Sequence, residues 1–299
     1  MKSRVSIFIP TKNAGPEFAT VLEKIYGQKE KQMEVIIVDS GSIDKTLKIA
    51  SSFPTEIHEI MPEEFGHGKT RNLALKYSSA DYIAFLSQDA VPADEYWLSN
   101  LLRNFSDEAT AGVFSKQIPR KEAKEIQRFF YKYYFPNDKI IRPQKEYNSI
   151  QNGFFSNVSS CIKKDILQKY RFNDTILTTE DQEWAKRVTD HGFKTIYESE
   201  SIVIHSHNHN IKKIFQSYFD SALALSEITK EEYSDFKKGS MEYISKEFMH
   251  VLLNKPTELP YWMVRNFVKV AGIFLGLNEK KLPLYWKRNL SLNKYYWKE

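Results

Sequence analysis

Length and composition limit what this chain can be. Its 299 residues are 41% hydrophobic and 27% charged, which excludes a disordered chain and suits one large domain or a domain with an appendage. The single cysteine, Cys161, excludes a disulfide framework and favours a reducing compartment. No apolar run reaches the length of about 18 residues that spans a bilayer. The opening segment MKSRVSIFIP lacks the features of a signal peptide, so we expect a cytoplasmic protein.

The net charge of +5 is unevenly distributed along the chain. Residues 211–299 contain 15 Lys and Arg residues against 10 Asp and Glu residues, whereas the charges of residues 1–210 cancel. Because the first part of the chain is neutral and the last part is basic, we expect the two parts to bind different partners. We therefore expect a first domain over residues 1–210 and a helical, basic and aromatic C-terminal region over residues 211–299.

The first part of the chain alternates short apolar runs with helical segments. Strands are predicted in VSIFIPTKN, EVIIVDSGS and DYIAFLSQDA, and each is followed by a helical pattern. This alternation indicates βα units, an α/β fold and a mainly parallel sheet flanked by helices. Ligands of such sheets bind beyond the carboxyl ends of the strands. Five polar residues lie at or just after the predicted strand ends: Thr11, Asn13, Asp39, Ser40 and Asp89.

The middle of the chain is less regular. Residues 116–152 include an aromatic, basic segment, RFFYKYYFPNDKIIRP, which predicts a helix and a long loop that is either a functional insertion or a packed excursion. TEDQEWAKRVTDHGF predicts a helix ending near Gly192, and KTIYESESIVIHSHNHN predicts a strand. A further helix is expected from Ile211, with apolar residues at 211, 214, 215, 218, 222 and 225 on one face.

The last forty-five residues interleave aromatic and basic side chains. They include Trp262, Trp286 and Trp297, and their apolar runs are too short to span a bilayer. One interpretation is an interfacial helix, with aromatic rings at headgroup depth and cations facing anionic lipid. The alternatives are a helical appendage packed on the domain, or an interface of a homo-oligomer. We expect no nucleic-acid partner, because no recognised nucleic-acid motif accompanies the basic residues.

Five motifs follow one another in the order found in family 2 glycosyltransferases, which have the Rossmann-like fold called GT-A. From about Val5 to His207 the chain resembles this family in FIPTKN, VIIVDSGSIDKT, GKTRNLAL, FLSQDAVP and TEDQEWAKRVTDHG. FGHGKTRN, SQDA and VIHSHNH are similar to the subgroup that transfers rhamnose from dTDP-rhamnose onto bacterial surface polysaccharides. The resemblance implies a GT-A fold with a C-terminal helical appendage.

The resemblance also implies residues that bind the nucleotide-sugar donor. Asp39 is similar to the carboxylate that accepts a hydrogen bond from N3–H of a pyrimidine base. From the residues alone, an N-cap for a helix starting near Ser42 is the alternative. Asp44 is expected to brace the turn at Thr46. The other donor contacts near the strand ends are Thr11, Asn13, Ser40 and Gln88.

Arg71 and Asn72 stand at a predicted helix start beyond Gly68. The planar guanidinium of arginine suits phosphate oxygens, so these residues are expected to contact the diphosphate or to order a metal-binding loop. The alternative is a solvated or salt-bridged arginine. His67 lies between two glycines and is expected to reach the donor, although a plain turn also explains the glycines.

Asp89 is the candidate metal ligand, for Mg²⁺ or Mn²⁺ bridging the donor diphosphate. The family pattern is D-x-D, and here Ser87 occupies the place of the first acid. One carboxylate, diphosphate oxygens and waters form a plausible set for a hard cation. The resemblance implies a histidine after the last strand as a further ligand, His207 first and His205 next. His205, His207 and His209 alternate along the chain, so an extended backbone would direct all three side chains to the same side. The alternatives are a polar strand end and a separate zinc site.

Asp181 is the candidate general base. Inverting transfer requires the acceptor hydroxyl to lose its proton as it attacks, and a positioned carboxylate contributes about 10²–10⁴-fold. Glu180 would orient the loop or contact the acceptor. The alternative is a helix start enriched in acids, which stabilise the macrodipole and would explain Glu180, Asp181 and Glu183 together.

The sequence therefore predicts an inverting glycosyltransferase, and the resemblance implies dTDP-rhamnose as donor and a lipid-linked saccharide as acceptor. It would act at the cytoplasmic face of the membrane as a peripheral protein. Three alternatives stay open: a glycosyltransferase using a UDP-sugar, a non-catalytic nucleotide-sugar-binding scaffold, and a nucleotidyltransferase. PTKNAG is a poor version of the glycine-rich loop that a nucleotidyltransferase requires.

Overall fold

The computed structural model describes residues 4–144, 152–228 and 233–297. The part of the predicted long loop at 145–151 lies outside the described residues. The chain forms two compact units. The first unit comprises Met1–Ile118, Phe135–Thr175 and Glu180–His205, and the second comprises Pro119–Tyr134, Ile176–Thr179 and Ser206–Glu299.

Strands belong to the first unit and the long helices to the second. The strands are β1 Val5–Thr11, β2 Met33–Asp39, β3 Glu56–Glu59, β4 Tyr82–Leu86, β5 Val91–Pro92, β6 Thr110–Ile118, β7 Ile140–Arg142, β8 Ser159–Lys163 and β9 Lys194–Ile204. The α-helices are α1 Phe18–Tyr26, α2 Thr46–Ala50, α3 His67–Asn72, α4 Ala74–Tyr77, α5 Trp97–Leu102, α6 Glu125–Tyr134, α7 Lys164–Lys169, α8 Glu180–Asp190, α9 Ile211–Ile228, α10 Tyr233–Asn254, α11 Leu259–Leu277 and α12 Leu284–Leu290.

The strands form one sheet in the order β3-β2-β1-β4-β8-β6-β9-β5, with β7 paired to β9. Strands β3, β2, β1 and β4 are parallel, as predicted, and so are β6 and β9. The remaining pairs are antiparallel, so the sheet is mixed instead of mainly parallel. Strand β8 enters between β4 and β6 and runs antiparallel to both.

The parallel strands bring their polar ends together. Val5, Ile7, Phe8 and Ile9 of β1 are fully buried, because a parallel sheet is covered on both faces and its strands are apolar throughout. The register pairs Thr11 of β1 with Asp39 of β2. The carboxyl ends of the strands therefore form one edge of the first unit, and most of the predicted site residues follow these ends.

The second unit is built from long helices. Helices α9 and α11 approach closely at Gly272 and Gly276, where an added Cβ would lie 2.7 Å from the carbonyl oxygen of Phe215 and 2.4 Å from that of Phe219. Of the predicted apolar face of α9, Ile214 and Ala222 are buried, and the buried side also includes Phe219 and Leu223, which lie outside the predicted set. No helix within the described ranges is both long enough and apolar enough to cross a bilayer.

Candidate active site

Asp39 closes the end of β2 with a carboxylate that accepts four hydrogen bonds. Its Oδ2 accepts from the hydroxyls of Thr11, at 2.8 Å, and Ser42, at 2.6 Å. Its Oδ1 accepts from the N–H groups of Gly41, at 3.0 Å, and Ser42, at 2.7 Å. Helix α2 begins at Thr46, so the alternative of an N-cap near Ser42 is wrong. Asp39 instead orders the loop after β2, and its contact with a base stays a prediction.

Side chains also tie the loops after β1 and β2 to each other. The N–H of Asn13 donates to Ser42 Oγ at 2.8 Å, and Asn13 Oδ1 accepts from the N–H of Ile43 at 2.9 Å. Asp44 accepts hydrogen bonds from the hydroxyl and the N–H of Thr46, which hold the pKa of Asp44 below its usual value. Its predicted bracing role is confirmed. The two loops thus form a rigid rim beside the strand ends.

Ser40 and Gln88, two further predicted donor contacts, hold main-chain groups of this rim. The N–H and hydroxyl of Ser40 both donate to the carbonyl oxygen of Thr11, at 2.9 and 3.1 Å. Gln88 Oε1 accepts from the N–H of Lys12 at 2.8 Å, and its Nε2 donates to the Lys12 carbonyl oxygen at 3.2 Å. Gln88 thereby connects the loop after β4 to the loop after β1. Direct contact of either residue with the donor stays a prediction.

Asp89 and His205 face each other beyond the strand ends. Asp89 Oδ1 lies 3.7 Å from His205 Nε2. On the other side of the ring, His205 Nδ1 is 3.0 Å from Gln117 Oε1, while Gln117 Nε2 donates to Ser156 Oγ at 2.9 Å. Because Gln117 presents an acceptor, Nδ1 carries a hydrogen, and Nε2 is the ring nitrogen that faces Asp89 and could bind a metal ion.

That orientation fits a cation. A nitrogen lone pair facing a carboxylate oxygen is favourable when a proton or a metal ion lies between them, and both atoms are ligands for divalent cations. Sequence reasoning missed the orienting role of Gln117, for which the only signal is a polar residue within a partly apolar strand. The structure shows that Gln117 is buried. His207 and His209 belong to the second unit, where their rings stack with centroids 4.8 Å apart. Metal ligation by His207 stays a prediction.

Arg71 forms a buried ion pair with Glu180. Its Nη1 lies 2.8 Å from Glu180 Oε1 and donates to the carbonyl oxygen of His67 at 3.3 Å. Burial would raise the pKa of Glu180, but the positive charges of Arg71 and His67 keep that pKa below its usual value. Within the described ranges, the buried Nε of Arg71 has no hydrogen-bond partner. Arg71 is therefore a salt-bridged arginine, which was one of the alternatives. Contact between Arg71 and the donor diphosphate stays a prediction.

Helix α3 is locked onto the segment that follows α7. Asn72 Nδ2 donates to the carbonyl oxygen of Phe172 at 2.9 Å, and its Oδ1 accepts from the Phe172 N–H at 3.1 Å. A Cβ on Gly68 would lie only 2.2 Å from the carbonyl oxygen of Asn173. The amide of Asn72 is thus committed to positioning α3, and its contact with a diphosphate stays a prediction. His67 opens α3, with its ring edge-on to Phe65 at 5.3 Å.

Asp181 has the most strongly altered carboxyl group of the site. Burial, together with the negative charge of Glu180, raises the pKa of Asp181 to about 7. Its Oδ2 accepts from the N–H of Asn157 at 2.9 Å, and its Oδ1 accepts from the N–H of Gln182 at 2.9 Å. Glu180 takes the ion pair with Arg71, so Asp181 is the carboxylate whose proton exchanges near neutral pH. This division of roles fits a general base better than a helix start merely rich in acids.

Two solved structures have a fold similar to that of this chain. A mannosyltransferase of Pyrobaculum calidifontis, solved with GDP-Man and Mn²⁺, has a TM-score of 0.63 at 15% identity and covers 94% of this chain and 89% of its own. TarS of S. aureus, residues 1–349, solved with UDP-GlcNAc, has a TM-score of 0.52 at 16% identity and covers 98% and 89%. These likenesses confirm the GT-A fold.

Sequence comparison gives the family. The model of glycosyl transferase family 2 matches residues 6–171. The O-antigen chain rhamnosyltransferase RfbN of Salmonella typhimurium is 31% identical over 98% of this chain and 96% of its own length. WbaN of Salmonella anatum, also an O-antigen chain rhamnosyltransferase, is 29% identical over 98% and 95%. The chain belongs to glycosyl transferase family 2 and is an inverting glycosyltransferase.

Proposed function

We propose that this glycosyltransferase transfers rhamnose from dTDP-rhamnose to a lipid-linked glycan. The choice of rhamnose is supported by the similarity of nearly the whole chain to two O-antigen chain rhamnosyltransferases. The acceptor type is supported by a Campylobacter jejuni glucosyltransferase, 22% identical over 84% of both chains, whose name gives GalNAc(5)-diNAcBac-PP-undecaprenol. We also propose that residues 1–210 bind the donor and carry out the transfer, while residues 211–299 serve the acceptor side at the membrane surface.

The observation that carries the enzymatic proposal is the placement of Asp181 beside the Arg71–Glu180 ion pair. The ion pair keeps Glu180 ionised, and the charge of Glu180 favours the protonated form of Asp181. A base with a pKa of about 7 is ionised in part at neutral pH and still binds a proton well. Asp181 therefore has the properties of the group that removes the acceptor proton.

The reaction then balances as a single displacement. The acceptor hydroxyl oxygen attacks the anomeric carbon from the face opposite the diphosphate, while its proton passes to an Asp181 oxygen. The bond between the anomeric carbon and the diphosphate oxygen breaks, and its electron pair leaves with dTDP. The N–H groups of Asn157 and Gln182 fix the carboxylate through main-chain hydrogen bonds, so its orientation is set before the acceptor binds.

The donor rests on the rim formed by the loops after β1 and β2. Thr11, Asn13 and Asp39 lie where the base and ribose are expected, and their mutual hydrogen bonds make this surface rigid. Asp89 and His205 would hold Mg²⁺ or Mn²⁺, with His207 as a further ligand implied by family resemblance. When bound, the cation supplies positive charge that stabilises the departing diphosphate. Gln117 keeps the His205 ring in the tautomer that ligation requires.

The test compares transfer and binding in two variants. Asp181→Asn keeps the size of the side chain and is expected to retain donor binding while transfer of the sugar falls about 10²–10⁴-fold. Glu183→Gln, which changes a neighbouring acid paired with Arg187, is expected to transfer at nearly the wild-type rate. Unchanged glycan synthesis by Asp181→Asn would favour the scaffold alternative, and transfer only from UDP-sugars would refute the proposed donor.

A further inference from the structure

The second unit contains a polar cavity whose lining residues, apart from His207, have no role in the transfer mechanism. Its volume is about 430 Å³. The side chains that line it include Lys124, His207, His209, Tyr218, Tyr261 and Arg265, and no Asp or Glu is found among the described residues of its lining. Lys124 Nζ lies 3.7 Å above the centre of the Tyr261 ring. The cavity is therefore suited to an anion, because its walls supply positive charge and hydrogen-bond donors.

The start of α9 adds to this positive character. Asn210 caps the helix, since its Oδ1 accepts from the N–H of Lys213 at 2.9 Å. Asn210 and Ile211 both line the cavity, so the N-terminal end of an 18-residue helix lies at its wall. Partial positive charge at a helix N-terminus favours phosphate groups. Helix and side chains thus favour the same kind of ligand.

Arg265 is held in the cavity wall by a buried network. The guanidinium Nη1 donates to Glu247 Oε1 at 3.2 Å, and Glu247, which is fully buried, does not line the cavity. The same carboxylate accepts hydrogen bonds from Tyr243, Trp262 and Asn266, at 2.8, 3.0 and 3.1 Å. Arg265 is more than nine-tenths buried. A buried cation in a cavity wall is a feature of a built anion site and not of a solvated surface.

The network explains an unusual property of α11. Its polar residues Arg265, Asn266 and Lys269 are buried, so its apolar residues point to solvent. The exposed stripe, defined by Met263, Val264, Phe267, Val270 and Phe274, has side chains that are 51% to 76% exposed. The spacing of three and four residues places these side chains on one face. The stripe is about 16 Å long, which is long enough to cover a hydrocarbon chain.

Cavity and stripe are neighbours on the same helix. Tyr261 lines the cavity and stands three residues before Val264 of the stripe, which makes the two side chains neighbours on the helix surface. A free phosphate would leave the stripe exposed, and a purely apolar partner would leave the cationic cavity unused. An amphiphile that joins a phosphate group to a hydrocarbon chain matches both surfaces.

We propose that the cavity binds the diphosphate of the lipid-linked acceptor and that the exposed stripe of α11 binds its hydrocarbon chain. This inference rests on the proposed function, because it assigns a binding site to the lipid acceptor named there. It places acceptor recognition in the second unit and gives Lys124 and Arg265 phosphate contacts. It also gives α11 a reason to expose apolar side chains.

The test measures binding of three probes to the full chain without nucleotide sugar: farnesyl diphosphate, farnesol and inorganic diphosphate. We expect farnesyl diphosphate to bind at least about ten-fold more tightly than either of the others, because only this probe reaches both surfaces. Excess dTDP serves as a competitor. Displacement of farnesyl diphosphate by dTDP would mean binding in the donor site and would overturn the proposal.

Two variants and two matched controls locate the site. Lys124→Glu is expected to weaken farnesyl diphosphate binding about ten-fold and to leave farnesol binding unchanged. Phe267→Ser is expected to weaken both isoprenoid probes about ten-fold while inorganic diphosphate is unaffected. Lys121→Glu and Met61→Ser, at exposed positions outside the cavity and stripe, should bind all three probes as the wild type does.

The outcomes separate this inference from the proposed function. If the wild type binds dTDP-rhamnose but binds farnesyl diphosphate no better than inorganic diphosphate, the inference is wrong and the proposed function stands. If farnesyl diphosphate binds through Lys124 and Phe267 but no nucleotide sugar binds, the proposed function is wrong. If Phe267→Ser only converts a dimer into a monomer, with unchanged probe affinities, the stripe is a self-association surface and the proposal is overturned.

Discussion

The pH dependence of transfer tests the role of Asp181 quantitatively. Burial and the charge of Glu180 raise the pKa of Asp181 from 3.8 to about 7, so about one-tenth of the carboxyl groups are ionised at pH 6 and about nine-tenths at pH 8. Because the base must be ionised to accept a proton, kcat/KM should fall about ten-fold from pH 8 to pH 6. A carboxyl group with its ordinary pKa would give a change of only about 1% over the same range.

The source of this shift can be separated by substitution. Glu180→Gln removes the negative charge that raises the Asp181 pKa and leaves Arg71 unneutralised, so the acidic limb of the profile should move to lower pH. Glu183→Gln removes an acid that is paired with Arg187 at 2.7 Å and should leave the limb in place. The assay is nucleotide release from the donor at limiting donor concentration between pH 5 and pH 9, read as kcat/KM.

A flat profile from pH 6 to pH 8 in the wild type would refute this reasoning. So would a Glu180→Gln profile whose acidic limb moves to higher pH, because both electrostatic changes in that variant stabilise the ionised form of Asp181. If the Asp181→Asn variant has reduced rates but its pH profile keeps the same acidic limb, the group that titrates is not Asp181.

Three further predictions concern the metal ligand, the second unit and helix α3. Gln117→Leu should weaken Mn²⁺ binding about 10–100-fold in a metal titration, because the His205 ring loses the acceptor that fixes its tautomer; unchanged affinity would contradict the ligand assignment. Glu247→Ala should lower the free energy of unfolding by about 3–5 kcal/mol in chemical denaturation, since it leaves a buried arginine unpaired, whereas Glu242→Ala at an exposed pair should cost under about 1 kcal/mol. Gly68→Ala should reduce donor affinity and stability together, because the added methyl group would lie 2.2 Å from a carbonyl oxygen; a normal melting temperature would contradict this packing.

The strand ends could be predicted from the sequence because their signals are local. An apolar run followed by a polar residue placed Thr11 and Asp39 at one edge of the sheet, and the register of β1 and β2 pairs these two residues. The role of Asp44 in bracing the turn at Thr46 was also predicted, and its hydrogen bonds confirm that role.

The interactions that join distant segments could not be predicted in this way. Arg71 pairs with Glu180, which is 109 residues further along the chain, and Gln117 orients His205, which is 88 residues away. No periodicity or spacing connects such pairs. The prediction of a mainly parallel sheet failed at β8 for the same reason, because its pairing with β4 and β6 joins segments that are distant in the sequence.

Helix α11 shows that a local pattern does not decide which face of a helix is buried. An amphipathic helix normally buries its apolar face, yet α11 buries Arg265 and Lys269 and exposes Phe267. The reason lies in α10, where Glu247 supplies a buried negative charge for the polar face of α11. A sequence pattern describes one helix, whereas burial is decided by the helices that pack around it.

The most direct test of the central claim is calorimetric binding of dTDP-rhamnose, dTDP, UDP-glucose and GDP-mannose, each with and without Mn²⁺. Asp89→Ala is measured beside the wild type. We expect dTDP-rhamnose to bind most tightly and Mn²⁺ to strengthen this binding at least about ten-fold. We expect Asp89→Ala to abolish the effect of the metal while dTDP still binds. Equal affinity for all three sugar nucleotides would show that the donor is assigned wrongly, and an Mn²⁺ effect that survives in Asp89→Ala would show that Asp89 is not the metal ligand.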